Sequence, residues 1–446
     1  MAAKLVYDLI VRVMELCHDD YGLLAQCALV NWEFNRAASR MLYSKVVLSP
    51  HFKPVLDLRD AGAIPESSNF ASASLPRNVQ YVLALEVSGY ISPRPPPRNT
   101  LPERITKALV TFVNLVSVRY TPVTYHENLF DQSIPTLHNL RSLVELTVNA
   151  SCTDDVRAPA IVELTGLRKL TLYNPGRAIL QLLPKWLERL QATLVELHLR
   201  DNCGSVTPGV LKSFLPYLEN TVQAFTLGLS YSLTDNDVFT FLGQITRLKR
   251  LELRYYWQLK PPQTLPNLLS LRSFTVTYPP QYTRKEVDEF DKWVRRTIAG
   301  SLDLQTLTLY CEGRDASIYL SHNSLVGHIT QKHATSLRYL DLALTFVGMD
   351  KLEDILTSCT QLEEIALQMG KNGLTLFRAK VSGLKQLRTA SFQIRNVPRT
   401  YQMNIIFLTE IMDRGQPSLR RLSLNNISWE VSEHFIYGRC HTIFFR

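Results

Sequence analysis

The segment Leu167-Arg-Lys-Leu170-Thr-Leu172 follows the pattern L-x-x-L-x-L, and this pattern returns along most of the chain. Clear copies, some with another residue at one leucine position, begin at Leu143, Leu194, Leu248, Leu271, Leu304, Leu337, Leu362, Leu387 and Leu419. Weaker copies contain the pairs Leu85/Val87, Val118/Tyr120 and Phe225/Leu227. From Val118 to Leu422, the first residues of successive L-x-L pairs lie 23 to 33 residues apart. An interval this regular predicts one repeating architecture.

The L-x-L alternation places both apolar side chains on one face of a short strand and the middle residue on the other. Consecutive strands then form a parallel sheet, and the segment between them must cross back over the core. Two crossings carry helix-start signals. Thr207-Pro208 offers an N-cap with proline at the first helical position, and Thr283 with Glu286 has capping-box spacing. A strand, a crossing helix and this interval together resemble the leucine-rich repeat.

We therefore predict an α/β solenoid over residues 46–446, a leucine-rich-repeat horseshoe with parallel inner strands and outer helices. It should be irregular, because the polar residue that follows each strand in the family is present at Asn202 and missing from most copies. Residues 50–80 form a loop-rich lead-in to the solenoid. The run Pro93-Arg-Pro-Pro-Pro-Arg98 is either a stiff surface loop or a polyproline II ligand. A generic α/β domain of another topology is the alternative explanation of the periodicity.

Residues 1–45 have a different period, typical of helices. Leu5, Leu9, Val13 and Leu16 share one face of a first helix, with Val6, Ile10 and Met14 on the adjacent face. A turn at His18-Asp19-Asp20 precedes a second helix through Leu24 and Cys27, and a third helix contains Phe34 and Met41. Three helices this short cannot bury all of their apolar surface against one another. The remainder is expected either to bind a protein partner or to cap the open end of the solenoid.

This helical region resembles the F-box. Its matching segments are Leu5 with Asp8-Leu9, Tyr21-Gly-Leu-Leu24, Ala28-Leu29-Val30, Ala37-Ala-Ser-Arg-Met-Leu-Tyr43 and the strand-like Val46-Val-Leu48. Val6, Asn31 and Phe34 stand where the family has proline, cysteine and tryptophan. The resemblance implies that the module docks a Skp-family adaptor within an SCF-type, cullin-containing ubiquitin ligase, while the repeats hold a protein target. The adaptor-binding residues that it implies are Leu5, Leu9, Ile10, Val13, Leu24, Cys27, Leu29, Val30 and Phe34.

Aromatic and arginine side chains, which dominate protein-binding hot spots, recur just past the predicted strands. They suggest a target-binding rim made of Arg200, Arg254, Tyr255, Tyr256, Trp257, Tyr278 and Tyr310. The competing interpretation is that these rings pack the loops at the sheet edge.

Other features of the sequence argue against alternative functions. Lysine and arginine give a net charge of +9 but are spread along the chain without a run, which argues against a nucleic-acid footprint. No apolar stretch is long enough for a membrane helix, and Asp8 and Arg12 interrupt the N-terminal apolar run, so a cytoplasmic or nuclear location is expected. We find no catalytic, phosphate-binding or metal motif and expect neither enzymatic activity nor a cofactor. A non-catalytic scaffold, or an F-box protein acting outside a ligase, is the alternative function.

Overall fold

The fold was analysed on a computed structural model. It describes residues 6–48, 68–94, 101–256, 259–261, 265–313, 320–395, 405–414, 418–425, 427–436 and 439–445. The chain divides into two compact units. The first comprises residues 1–206 with 216–221, and the second comprises residues 207–215 with 222–446. Leu5, Trp257, residues 50–67 of the lead-in and residues 95–98 of the proline run lie outside the described residues.

The first unit begins with three helices, α1 (Tyr7–Leu16), α2 (Tyr21–Cys27) and α3 (Trp32–Leu42). As the acidic turn predicts, the Asp20 carboxylate caps α2 by accepting a hydrogen bond from the Leu23 amide at 2.9 Å. Asn31 caps α3 in the same way, with the Phe34 amide at 3.0 Å. The helices share a small core formed by Ile10, Val11, Met14, Leu24, Ala37 and Ala38.

Six parallel strands follow in the first unit, paired in chain order from β1 to β5 with β6 beside β5. They are β1 (Lys45–Leu48), β2 (Ala84–Tyr90), β3 (Ser117–Thr124), β4 (Glu145–Val148), β5 (Lys169–Tyr173) and β6 (Glu196–Asn202). The segments between them contain α4 (Ser68–Ala73), α5 (Leu101–Thr111), α6 (Ser133–Leu137), α7 (Ala158–Ile161), α8 (Arg177–Leu190) and a 3-10 turn at Val79–Tyr81. Equivalent leucines pair across the strands, Leu146 with Leu170 and Leu170 with Leu197, and all three are fully buried.

The second unit repeats the arrangement. Its parallel strands are β7 (Ala224–Leu229), β8 (Arg250–Arg254), β9 (Ser273–Tyr278), β10 (Thr306–Cys311), β11 (Tyr339–Phe346), β12 (Glu364–Gly370), β13 (Thr389–Arg395) and β14 (Arg421–Leu424). Its helices are α10 (Asp235–Leu242), α11 (Arg284–Ile298), α12 (Asn323–Lys332), α13 (Met349–Ser358), α14 (Lys371–Lys380) and α15 (Ile405–Arg414), with a 3-10 turn at Val381–Gly383. Helix α9 (Pro208–Leu218) contributes residues to both units.

The crossing helices begin where the sequence predicts. The Val210 amide lies 3.4 Å from Thr207 Oγ1 at the start of α9. At α11, Thr283 and Glu286 form the reciprocal capping box. Each unit is therefore built from repeated strand-and-crossing segments with leucines on the inside, and the predicted leucine-rich-repeat solenoid is confirmed.

The last two strands differ from the predicted parallel series. Strands β15 (Ile427–Ile436) and β16 (Arg439–Phe445) run antiparallel to their neighbours. Only two residues separate β14 from β15, and Asn425, the first of them, has a left-handed backbone with φ of 47°. A connection this short can join only antiparallel strands, because a parallel strand needs a crossover of a dozen or more residues.

Candidate functional site

Helix α1 presents an apolar stripe to solvent. Val6, which caps α1, and Leu9, Val13 and Leu16 follow one another at intervals of three or four residues, which places them on one side of the helix. Their exposed fractions range from 48% to 86%. Ile10 and Met14 lie on the adjacent face and are buried in the three-helix core, whereas Val6, which the sequence grouped with them, is exposed. Helix α1 thus has one apolar side packed within the protein and a second one facing water.

Further large apolar side chains are exposed in the first turn of α2, in the connection from α2 to α3 and at the start of α3. Tyr21, Leu23, Leu29, Val30 and Trp32 are all exposed, Trp32 at the first position of α3. Nine of the 25 exposed large apolar side chains in the described part of the chain therefore lie within residues 6–32. We call these nine the apolar face: Val6, Leu9, Val13, Leu16, Tyr21, Leu23, Leu29, Val30 and Trp32. Such a concentration far exceeds the isolated exposed residues that are normal on a monomer.

The structure divides the predicted adaptor-binding residues into three groups. Leu9, Val13, Leu29 and Val30 lie on the apolar face. Cys27 and Phe34 are half-buried against the core. Ile10 and Leu24 belong to the core itself, with at most 2% of each side chain exposed, so they support the surface from beneath and do not line it.

Trp32 is a member of the apolar face that the sequence analysis did not single out. The signal for it was local. Asn31 is a good helix N-cap, so the sequence predicts that Trp32 is the first residue of a helix. At that position few neighbouring residues cover its side chain, and it is exposed.

Two members of the predicted target-binding rim pack inside the second unit. Tyr255 and Tyr278 are each only 4% exposed. Their rings contact Phe290 of α11, with centroid separations of 5.0 and 4.5 Å. The Tyr278 hydroxyl lies 3.2 Å from Thr345 Oγ1, and burial raises the pKa of Tyr278 well above its ordinary value. For these two residues the packing interpretation is correct, because helix α11 covers the strand ends that carry them.

The other rim residues remain nearer the surface. Tyr310 is largely exposed, and Arg254 forms an ion pair with Glu312 at 2.6 Å. Tyr256 is half-buried, and its hydroxyl lies 2.7 Å from the Ser230 carbonyl oxygen and 2.9 Å from that of Leu233. Arg200, half-buried in β6, lies in the first unit, whereas the others lie in the second. Of the predicted rim residues that the structure describes in the second unit, Tyr255 and Tyr278 are buried, whereas Arg254, Tyr256 and Tyr310 reach the surface.

A cleft of about 780 Å³ opens beside Tyr256 in the second unit. Its walls include Tyr231, Leu233, Asp235, Lys260 and Asn267. Asp235 is buried, and burial raises the pKa of its carboxyl group. The carboxylate oxygens accept hydrogen bonds from the Trp293 indole and the Lys260 amide, both at 2.6 Å. Asp235 thereby ties a loop to α11, which is a structural role.

A buried acid–histidine pair also has structural partners. Asp291 Oδ1 lies 2.5 Å from His322 Nδ1, and Asp291 Oδ2 accepts from Ser324 Oγ at 2.7 Å and from the Leu325 amide at 3.2 Å. These contacts place the carboxylate at the amino end of α12, where it satisfies free backbone donors. Among the described residues, no cluster of three or more histidine, cysteine or acidic side chains is arranged to hold a metal. No described helix is long and apolar enough to cross a membrane.

Comparison with known proteins adds two similar structures. Neither a protein-family model nor a curated protein sequence matches the chain. It is similar to Rad7 in the Rad7–Elc1 complex of yeast, with 14% identity and a TM-score of 0.48 over 80% of this chain and 86% of that one. It is also similar to TLR13 in its complex with ssRNA13, with 13% identity and a TM-score of 0.37 over 77% of this chain and 43% of that one.

Proposed function

We propose that this chain is the substrate-recognition subunit of an SCF-type ubiquitin ligase, acting in the cytoplasm or nucleus without catalytic chemistry of its own. Its N-terminal helices would dock a Skp-family adaptor linked to a cullin, and its repeats would bind a protein target. The observation that carries the proposal is the apolar face of residues 6–32. The F-box resemblance of the same helices gives the adaptor its identity.

The energy of the apolar face explains why it needs a partner. Burying a valine, leucine or larger apolar side chain contributes about 1.5 to 3 kcal/mol. The nine side chains are 40–87% exposed, so covering them with a partner would be favourable, and the part of this energy that exceeds the entropic cost of association would appear as affinity. Left uncovered, the same surface would promote aggregation.

Co-purification with a Skp-family adaptor tests the proposal. The test variant is Leu9→Asp with Val30→Asp, whose side chains are 56% and 63% exposed. The matched control is Val110→Asp with Val113→Asp, at 65% and 64% exposed and outside the helical module. Leu24→Asp is unsuitable, because Leu24 is fully buried and its loss would unfold the module.

We expect wild type and control to co-elute with the adaptor in size-exclusion chromatography and the test variant to elute alone. The affinity of the test variant should fall at least about a hundredfold, since two buried charges each cost several kcal/mol. All three proteins should keep the same melting temperature within about 3 °C. A wild-type protein that does not bind the adaptor, or a test variant that still binds it, would contradict the proposal.

A non-ligase role is the second candidate, and the sheet gives one observation in its favour. Strand β1 starts only three residues after α3 ends and pairs directly with β2, so the helices adjoin the first strand of the sheet. They could serve solely as a terminal cap, which solenoids require. The chromatography repeated with adaptor and cullin together separates the candidates: a cap predicts no adaptor complex, and an F-box protein outside a ligase predicts an adaptor complex without cullin.

A further inference from the structure

One position of the repeat is polar or charged in every strand of the second unit from β7 to β14. It is the second residue of L-x-x-L-x-L, just before each strand begins. From β7 to β14 it is occupied by Gln223, Lys249, Arg272, Gln305, Arg338, Glu363, Arg388 and Arg420. From Lys249 onward, each of these residues donates its backbone N–H to the carbonyl oxygen of the one before it, over 2.7–2.8 Å. The hydrogen-bond ladder therefore places them side by side along the amino-terminal edge of the sheet.

Five of the eight residues are cations, Lys249, Arg272, Arg338, Arg388 and Arg420, and all five side chains are exposed. We call them the cationic row. The strand starts and the turns leading to them add Arg247, Arg250, Lys385 and Arg421. The acids at this edge are Asp303, Glu363, Glu364 and, on β15, Glu430. Nine cations against four acids leave +5 here, more than half of the net charge of +9.

Ion pairs within this edge do not neutralise it. Arg272 approaches Asp303 at 3.4 Å, Arg338 approaches Glu363 at 3.4 Å, and Arg421 pairs with Glu430 at 2.6 Å. The arginine of each pair is more than half exposed, and pairs of this kind contribute at most about 1 kcal/mol. Their guanidinium groups can therefore exchange these acids for those of a partner at little cost.

The first unit shows that repeat stacking does not require cations at this position. The equivalent residues before β2 to β6 are Leu83, Val116, Val144, Arg168 and Val195, joined by the same backbone ladder over 2.8–2.9 Å. Four of these five are apolar. Neighbouring strands are about 4.8 Å apart, so aligned cations repel one another and reduce stability. The cationic row therefore opposes folding slightly, which points to a role in binding.

We infer that the cationic row is the site where the target docks, through an extended acidic segment of its chain. The inference rests on the proposed function and specifies its substrate class. Seven strands at about 4.8 Å spacing give a row of about 29 Å, which an extended peptide of about nine residues spans. Four of the five cations are arginines, whose planar groups bind carboxylates in a bidentate manner.

The surroundings of the row favour a peptide over single-stranded nucleic acid. Nucleic-acid grooves place aromatic rings beside their cations as stacking platforms. In the strand-start positions of β8 to β14, all within the described residues, the one aromatic side chain is Tyr339. Its hydroxyl donates a hydrogen bond to Glu363 at 3.0 Å, which holds the ring within the edge.

Fluorescence anisotropy with a fluorescein-labelled deca-glutamate peptide tests the inference on the full chain. The row variant combines Lys249→Glu, Arg272→Glu, Arg388→Glu and Arg420→Glu. The matched control combines Lys185→Glu, Lys212→Glu, Lys285→Glu and Lys292→Glu, which changes the net charge equally at exposed lysines on helices. We expect the row variant to raise Kd at least about tenfold and the control less than about threefold.

Equal weakening by both variants would overturn the inference, since binding would then follow total charge. An unchanged row variant would overturn it as well. The inference would also be overturned if the chain does not bind the peptide and instead binds a single-stranded oligonucleotide through the row. If the four reversals lower the melting temperature, the milder pair Arg388→Ser with Arg420→Ser should still weaken peptide binding at least about threefold. The proposed function assigns adaptor binding to the apolar face, so the row variant should still bind the adaptor. Loss of peptide binding can then be judged independently of adaptor binding, and a failure of this inference is distinct from a failure of the proposed function.

Discussion

At the scale of single residues, burial decides what an aromatic side chain does in this protein. Tyr278 and Tyr310 occupy adjacent strands, yet Tyr278 is 4% and Tyr310 62% exposed. Tyr278 stacks on Phe290, whereas Tyr310 has its ring in solvent. The same residue type therefore builds the core on one strand and remains available for contacts on the next.

Replacing Tyr278 by alanine should lower the free energy of unfolding by about 3 to 4 kcal/mol, since it empties a packed ring site. Tyr310→Ala is the matched control and should stay within about 0.5 kcal/mol of wild type. Urea denaturation followed by circular dichroism measures both. Similar losses for the two variants would show that Tyr310 is also a packing residue.

A pair of neighbouring histidines should make stability depend on pH. The rings of His328 and His333 are 5.5 Å apart, and their Nε2 atoms are buried without a hydrogen-bond partner. Burial lowers the pKa of both from 6.5 to about 4. Between these pH values the unfolded chain binds more protons than the folded chain. The contribution of the pair to the free energy of unfolding is therefore fully present above pH 6.5 and is lost as pH falls toward 4.

The loss from this pair should be on the order of 3 kcal/mol, because His333 is fully buried while solvent screens the half-exposed His328. Unfolding free energies measured from pH 7 to 4 check it. The double variant His328→Phe with His333→Phe cannot titrate there and should show a flatter profile than wild type. Parallel profiles for the two proteins would contradict the assignment.

At the scale of elements, one helix supplies the cap of the next. Asp291 lies on α11 but its carboxylate accepts from Ser324 and the Leu325 amide at the start of α12. The cap residue of α12, His322, does not cap with its own side chain and instead contacts the same carboxylate. Neighbouring repeats are therefore joined by a buried polar group as well as by leucines.

Asp291→Ala should destabilise the protein by about 3 kcal/mol, because it leaves buried donors of α12 and His322 without an acceptor. Asp288→Ala on the same helix is the control. Asp288 is exposed and pairs with Arg284 at the surface, so its loss should cost less than about 1 kcal/mol. Differential scanning calorimetry compares the two, and equal melting temperatures would exclude the capping role.

At the scale of the whole molecule, the two proposed surfaces differ in the force that drives binding. The apolar face consists of uncharged side chains, and the cationic row carries most of the charge excess. Apolar burial is insensitive to moderate salt, whereas exposed charges are screened beyond about 10 Å at 0.1 M ionic strength.

Raising the salt concentration from about 50 to 500 mM should therefore weaken deca-glutamate binding at least about tenfold while changing adaptor affinity less than about threefold. Anisotropy at several salt concentrations measures the first, and calorimetric titration measures the second. An adaptor complex that dissociates in salt would mean that charges, and not the apolar face, hold it.

The sequence by itself determined the repeat. Leucines at L-x-x-L-x-L every 23 to 33 residues favour burial in stacked parallel strands, and the caps at Thr207, Thr283 and Asp20 depend on local contacts within a few residues. Only the tertiary structure decided which side chains are available for binding. Ile10 and Leu24 differ from Leu9 and Leu29 in what packs over them, as Tyr278 differs from Tyr310. The cationic row too is assembled by register, because successive cations 23 to 66 residues apart in the chain come to lie along one edge of the sheet only when the strands pair.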